Sequence, residues 1–229
     1  MNIETYLSNI SFQYIKPNTP VESDRTALEM LNTVLPEDNK YLQSIYNLCS
    51  IPKMSTFTIG TIINKIVSQM KENQYFVNVG VWHGFTFLSG VVNNPSKKCI
   101  GIDNFSEFGG PREEFLQRFH SYNSKNHLFY EMDYIDYFSH IHKGEIGFYI
   151  YDGEHSYENQ LKGLQVAEPF FGEDCLIMID DTNWEQVRKA TFSFLSSSKN
   201  KYQVLADIPT YHDSHPTYWN GIILLKKIK

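Results

Sequence analysis

Long apolar runs are missing from this sequence of 229 residues. No apolar stretch approaches the ~18 residues that a membrane-spanning helix requires. The N-terminus, MNIETYLSN, also lacks the basic and apolar regions of a secretory signal. We therefore expect a soluble, cytoplasmic protein with no membrane partner.

Basic residues are in the minority. The chain has 20 Lys and Arg against 26 Asp and Glu, which gives a net charge of −6, and its only basic block is the short tail KKIK. Nucleic acids and anionic membranes attract basic surfaces. We therefore expect neither as the main partner.

Cysteine is scarce, with three residues that are widely spaced and set in apolar surroundings. Their odd number and their spacing match neither a disulfide framework nor a zinc site. Cys49, Cys99 and Cys175 are therefore interpreted as buried thiols in a reducing compartment.

Apolar and aromatic residues are plentiful, at 41% and 15% of the chain. This composition supports a sizeable core, and the length fits one large domain or one domain with a helical addition. We expect residues 1–20 to form an arm. Apolar residues then recur at helical spacing, which predicts helices over Ser23–Leu35, Asn39–Cys49 and Thr58–Lys71.

The pattern changes at Tyr75, where short apolar runs begin to alternate with helical stretches. The predicted strands are YFVNVG, KKCIGID, HLFYEMD, IGFYIYDG, CLIMIDD, YQVLADI and GIILLKKI. Helices are predicted over Gly84–Val92, Pro111–Ser121, Tyr157–Phe170 and Trp184–Leu195. Continuous apolar strands are typical of a parallel α/β sheet. The last two strands, with no helix between them, predict an antiparallel hairpin.

Glycine or aspartate closes each of the first five strands. The closing residues are Gly80, Asp103, Asp133, Asp152 and Asp180. Ligands of open α/β sheets bind beyond the carboxyl ends of the strands. Ordinary turn chemistry explains any one of these residues, but five at one edge favour a binding site.

Asp152, Asp180 and Asp181 follow two strands that would meet at this edge. Three buried carboxylates repel one another unless they are protonated or share a cation. Their oxygen atoms suit Mg²⁺, with Mn²⁺ or Ca²⁺ as substitutes. The alternative is that Asp181 only caps the following helix.

His155 lies in the same loop as Asp152, three residues further on. A histidine with an ordinary pKa near ~6.5 can act as a general base at neutral pH. The alternative is one more surface histidine among the eight of the chain.

The order of VNVGVWHGFT, GIDNF, YDGEHSY and IMIDDT resembles class I S-adenosylmethionine-dependent methyltransferases. The closest resemblance is to metal-dependent O-methyltransferases of the catechol, caffeoyl-CoA and macrocin types. It covers residues 54–229 and implies a Rossmann-like fold: a mostly parallel seven-stranded sheet, helices on both faces and a C-terminal antiparallel hairpin. Residues 1–53 would be a helical extension that covers the substrate or contacts another copy in a homo-oligomer.

The resemblance also implies roles for individual residues. Asp152, Asp180 and Asp181 would hold the metal, and His155 would be the base. The residues implied to contact S-adenosylmethionine are Met54, Ser55, Thr56, Asn78, Gly80, Trp82, Gly84, Thr86, Asp103, Asn104, Asp133 and Asp152. Asp103 would hold the ribose and Asp133 would face the adenine. Asn78 stands where the family usually has an acid, so we expect weaker attraction for the ammonium group of the cofactor.

The implied reaction is metal-assisted methylation of a small-molecule hydroxyl, in a sugar or another vicinal diol. Residues 209–221, which include Tyr211, His212, His215, Tyr218 and Trp219, could stack on the acceptor ring or form an ordinary hairpin loop.

A metal-free or non-catalytic cofactor-binding protein remains an alternative. A nicotinamide-dependent dehydrogenase is disfavoured because the G-x-G-x-x-G fingerprint is missing.

Overall fold

A computed structural model describes residues 1–21, 28–36 and 42–229. Its helices are α1 (Ile3–Asn9), α2 (Glu29–Asn32), α3 (Leu42–Leu48), α4 (Phe57–Gln69), α5 (Phe85–Val91), α6 (Arg112–Tyr122), α7 (Tyr134–His140), α8 (Tyr157–Ala167) and α9 (Glu185–Ser197). Its strands are β1 (Ser11–Phe12), β2 (Thr33–Val34), β3 (Tyr75–Val79), β4 (Lys98–Asp103), β5 (His127–Glu131), β6 (Ile146–Tyr151), β7 (Phe171–Ile179), β8 (Lys201–Ile208) and β9 (Ile222–Ile228).

The main sheet has seven strands in the order β5-β4-β3-β6-β7-β9-β8. Strands β3 to β7 run parallel, whereas β9 pairs antiparallel with both β7 and β8. The chain builds outward from β3 to β5, then returns to place β6 on the other side of β3. Ligands of such sheets bind at this change of direction. The predicted fold and its terminal hairpin are confirmed.

Alternating side chains of the strands build a core on each face of the sheet. Phe76 and Phe148 pack with α4, α5 and α6, and Val77 and Tyr149 pack with α7, α8 and α9. Successive side chains of a strand point to opposite faces, so a strand covered on both faces is apolar throughout. This explains why the whole of IGFYIY in β6 is buried.

The N-terminal helices α1 and α3 pack on the face of the sheet that also carries α4, α5 and α6. Ile3 and Tyr6 of α1 and Ile45 of α3 belong to the same core cluster as α4. β1 and β2 form a separate antiparallel pair. The predicted arm at residues 1–20 thus contains a helix and a short strand. The N-terminal part of the helix predicted over 23–35 and the first residues of the one over 39–49 lie outside the described residues.

The sequence interpretation missed α7. Tyr134, Ile135, Tyr137 and Phe138 lie at helical spacing, but the helix has only seven residues, too few for its periodicity to stand out. A local signal was present, because the Asp133 side chain accepts hydrogen bonds from the N–H groups of Ile135 and Asp136 and caps the helix. The helix predicted over Tyr157–Phe170 consists of α8, which ends at Ala167, and a 3₁₀ turn over Glu168–Phe170 that leads directly into β7.

None of the described helices combines the length and the apolar composition that crossing a membrane requires.

Candidate active site

A cavity of about 580 Å³ lies at the carboxyl ends of the central parallel strands. Most of the residues that were predicted to form a site line it. They are Met54, Ser55, Gly80, Trp82, Thr86, Asp103, Asn104, Asp133, Asp152, His155, Asp180 and Asp181.

Three of the predicted cofactor contacts lie behind the cavity wall. The Thr56 hydroxyl donates to the carbonyl of Thr217 at 2.7 Å and caps α4. Gly84 is the N-terminal cap of α5, with φ at 103°. The Asn78 amide donates to the carbonyls of Val79 and Gly80, which fixes the chain at the end of β3. These contacts support the wall of the cavity, but the Oδ1 atom of Asn78 is buried without a hydrogen-bond partner. The implied contacts of the three residues with the cofactor stay predictions.

The turn after β3 passes very close to the end of β6. Gly80 has a φ of 79°, and a Cβ atom added there would lie 1.9 Å from the carbonyl oxygen of Asp152. The Asp152 N–H donates to the carbonyl of Val79 at 2.8 Å. Only glycine satisfies both the positive φ and the close approach. Gly80 therefore sets the distance between the turn after β3 and Asp152 at the end of β6.

Asp103 organises the same turn through its carboxylate. One oxygen accepts from the N–H groups of Val81 and Trp82, at 2.8 and 2.9 Å, and the other accepts from Phe105 at 2.7 Å. A carboxylate has about four acceptor positions, so three backbone donors leave one. The implied role at the ribose stays a prediction, with room for a single further hydrogen bond.

Asp152, Asp180, Asp181 and His155 form one cluster in the cavity. The Nε2 atom of His155 lies 3.4 Å from Asp181 Oδ2 and 3.7 Å from Asp152 Oδ1. Its Nδ1 atom lies 3.2 Å from the amide oxygen of Gln160, which is fully buried. The amide of Asn220 donates to the other oxygen of Asp181 at 2.8 Å. The neighbouring parallel strands β6 and β7 bring these groups together.

Burial and mutual repulsion perturb this cluster. Burial raises the pKa of Asp180 well above its usual range, and the charges of Asp181 and Asp152 raise it further. Burial also raises the pKa of Asp181 to about 6, against the opposing charge of His155. At His155, burial lowers the pKa, but contact with Asp152 and the charges of Asp181 and Asp180 outweigh it and raise the pKa to about 9. His155 is therefore the counter-ion of these carboxylates.

The donor chemistry of the cluster fits a hard divalent cation. Asp180 Oδ1 is buried and has no hydrogen-bond partner, and such atoms are rare in native structures unless a ligand satisfies them. Carboxylate oxygens are the preferred ligands of Mg²⁺. Within residues 1–21, 28–36 and 42–229, however, no three His, Cys, Asp or Glu side chains are arranged to hold an ion as they stand.

Backbone strain concentrates around the cavity. Six of its lining residues other than glycine have a positive φ: Trp82, Phe105, Phe108, Asp181, Ser214 and Trp219. Such conformations persist where the surrounding structure enforces them, and they cluster at functional sites. The alternative interpretation of Asp181 as a helix cap is not supported, because α9 begins at Glu185 and its cap residue is Trp184.

The fold and the central sequence match known methyltransferases. The sequence model of a family described as "Methyltransferase domain" matches residues 77–182. This segment contains the β3 turn, the end of β4 and the whole acid cluster. The central segment of the chain is therefore similar to this methyltransferase family.

Solved structures of low sequence identity share the fold of this chain. An O-methyltransferase from Bacillus cereus in complex with SAH is 10% identical, with a TM-score of 0.61 over 86% of this chain and 94% of that one. A putative caffeoyl-CoA O-methyltransferase from Staphylococcus aureus is 10% identical, with a TM-score of 0.58 over 88% and 95%. TomG, an O-methyltransferase of Streptomyces achromogenes in complex with SAM, is 10% identical, with a TM-score of 0.56 over 84% and 92%. No curated protein matches the sequence.

The loop of the C-terminal hairpin contributes less aromatic surface to the cavity than its composition predicted. Of the loop residues Tyr211, His212, His215, Tyr218 and Trp219, only Trp219 lines the cavity. Tyr218 is buried against Phe12, and His215 bonds to Thr217 and to the carbonyl of Thr19. Tyr211 is largely exposed to solvent. The loop reaches the cavity mainly through polar groups, since Asp213, Ser214 and Asn220 also line it.

Sequence reasoning missed several residues of this cavity. Lys53 and Trp184 line it, and Gln160 and Asn220 contact the acid cluster. Trp184 lies just before a predicted helix, and an aromatic residue at that position carries no specific signal. Lys53 directly precedes Met54, Ser55 and Thr56, which the resemblance implied as cofactor contacts, so proximity in sequence could have identified it.

Proposed function

We propose that this protein is an S-adenosylmethionine-dependent O-methyltransferase that acts on a hydroxyl of a small vicinal diol. One observation carries the proposal: a cluster of three carboxylates and His155, in which Asp180 and Asp181 are buried, faces the same cavity as the glycine turn after β3. The O-methyltransferases with this fold support oxygen as the acceptor atom.

The charge of the cavity favours a cationic cofactor. Among the described residues that line it, the acids include Asp103, Asp152, Asp180 and Asp181, and the only Lys or Arg is Lys53. The ammonium group of Lys53 lies 2.8 Å from the buried Glu29 carboxylate, so its charge is already balanced. The sulfonium of S-adenosylmethionine would enter an acidic environment.

Asp152, Asp180 and Asp181 would hold Mg²⁺, or Mn²⁺ or Ca²⁺ in its place. A bound divalent cation lowers the pKa of a hydroxyl group in contact with it and orients that group. The carboxylates would then no longer depend on His155 for counter-charge.

With the cation supplying the counter-charge, His155 would be neutral and would take the proton of the acceptor hydroxyl at Nε2, the atom that faces the acids. The contact between Nδ1 and Gln160 holds the ring in this orientation. Trp184 and Trp219 would flank the acceptor and exclude water. Holding the two reactants in contact supplies a large part of the rate.

A metal-free methyltransferase is the second candidate, and one observation favours it. His155 already balances the charges of Asp152 and Asp181 at 3.7 and 3.4 Å. In that case His155 would be a fixed cation rather than a base.

Calorimetry followed by a methylation assay tests the proposal. We expect S-adenosylmethionine to bind, and radioactive methyl groups to pass to catechol or a sugar diol only when Mg²⁺ is present. Methyl transfer that persists in excess chelator would support the second candidate. A complete failure to bind S-adenosylmethionine or S-adenosylhomocysteine would disprove both.

A further inference from the structure

A buried ion pair lies at the edge of the cavity, between α2 and the segment that precedes α4. Glu29 of α2 is 1% exposed, and its Oε1 atom lies 2.8 Å from the Nζ atom of Lys53. Neither side chain has appreciable contact with solvent.

The second oxygen of the same carboxylate makes a backbone contact. Glu29 Oε2 accepts a hydrogen bond from the N–H of Phe57 at 3.0 Å. Phe57 is the first residue of α4, where N–H groups have no partner inside the helix. One carboxylate therefore binds Lys53 with one oxygen and Phe57 with the other. We call residues 53–57, which it holds at both ends, the rim segment.

The rim segment forms part of the cavity wall. Lys53, Met54 and Ser55 line the cavity, whereas Glu29 does not. The Ser55 hydroxyl is buried and has no hydrogen-bond partner. An unsatisfied buried hydroxyl at a cavity is free to bind a ligand, so its position matters for binding.

Stability alone is a weak reason for this ion pair. Removing two charges from water costs more than their attraction often returns, and apolar replacements of buried pairs are frequently as stable. A fixed geometry is the stronger reason, because the two oxygens set the distance between Lys53 and the start of α4. A neutral apolar pair would not fix that distance.

We propose that Glu29 is a positioning residue for the cofactor site: it holds the rim segment so that Ser55 and Met54 face the bound S-adenosylmethionine. The proposal rests on the proposed function, since it assumes that this cavity binds the cofactor. It makes the N-terminal extension a working part of the site rather than only a cover.

The test is the affinity for S-adenosylhomocysteine, measured by calorimetry on the full chain. Glu29→Ala removes both contacts, and we expect its dissociation constant to rise about tenfold or more. Glu29→Gln keeps an acceptor for Phe57 but loses the charge, so it should recover part of the affinity. Glu4→Ala, at an exposed acid of α1, is the matched control and should bind like the wild type.

A second comparison separates positioning from general destabilisation. Val67→Ala lowers stability from a buried position in α4 that does not line the cavity. If Val67→Ala weakens binding as much as Glu29→Gln at equal loss of melting temperature, the role of Glu29 is only structural and the proposal is wrong. Unchanged affinity in both Glu29 variants also overturns it. If the wild type itself does not bind, the proposed function fails first. Reduced deuterium protection of residues 53–57 in a folded Glu29→Gln variant supports the proposal.

Discussion

The imidazole Nε2 of His155 lies 3.4 Å from the Asp181 carboxylate, on the side that faces the cavity. If His155 is the general base, His155→Gln should lower the rate of methyl transfer by about 10²–10⁴-fold. The dissociation constant of S-adenosylhomocysteine should change little. Single-turnover assays and calorimetry measure the two quantities. His120→Gln, an exposed residue of α6, is the control. A His155→Gln variant with the wild-type rate would remove the base role.

Asp180 has a buried oxygen without a partner, and we expect it to bind the metal. Asp180→Asn keeps the shape of the side chain but removes its charge, so binding of Mn²⁺ should weaken at least about tenfold. Electron paramagnetic resonance of free Mn²⁺ measures this directly. Asp136→Asn, at an exposed acid of α7, should leave Mn²⁺ binding unchanged. If the concentration of unbound Mn²⁺ is the same in the presence of wild type and of Asp180→Asn, these acids do not form a metal site.

Gly80 and Gly109 have nearly the same φ, 79° and 80°, but different surroundings. An added Cβ at Gly109 would meet no described atom within 4 Å, whereas at Gly80 it would overlap the carbonyl of Asp152. Gly109→Ala should therefore lower the free energy of unfolding only by the strain of a left-handed alanine, about 1–2 kcal/mol. Gly80→Ala should lower it by clearly more and should also weaken cofactor binding. Urea denaturation of the two variants gives the comparison. Equal losses would mean that the turn tolerates displacement from Asp152.

His142 is buried at the other end of the sheet and should make stability depend on pH. Burial lowers its pKa from 6.5 to about 4. Between these values the unfolded chain binds more protons than the folded one, so stability falls as the pH falls. The contribution of neutral His142 to the free energy of unfolding is complete above pH 6.5 and is lost progressively towards pH 4.

The measurement is the melting temperature of wild type and His142→Phe from pH 7.5 to pH 4. We expect the wild type to lose stability more steeply, because phenylalanine cannot take up a proton. Tyr137, whose hydroxyl contacts His142 Nδ1 at 2.9 Å, loses a partner in the variant at every pH. That effect shifts the whole curve and leaves its slope unchanged. If the melting temperatures of wild type and His142→Phe fall in parallel with pH, His142 is not the source of the pH dependence.

The sequence by itself determined the alternation of strands and helices and the composition of the strand ends. Apolar runs such as IGFYIY and CLIMI encode buried strands locally, and the acids that follow them are adjacent in sequence. The parallel sheet then requires these ends to share one edge. That is why Gly80, Asp152 and Asp180 could be predicted together as one site before their positions were known.

Only the tertiary structure decided which polar atoms of the site residues are free to contact a ligand and which already have a partner within the protein. Asp103 could be predicted at a strand end, but its three backbone donors come from the turn after a different strand and from its own loop. Glu29 and Phe57 are 28 positions apart, and no periodicity relates them. Within the loop 209–221, Trp219 and Tyr218 are neighbours, yet one lines the cavity and the other packs against Phe12. Local residue patterns specify individual helices and strands. Contacts between them depend on which helix face packs against which sheet face, and the pattern of a single sequence does not show which faces meet.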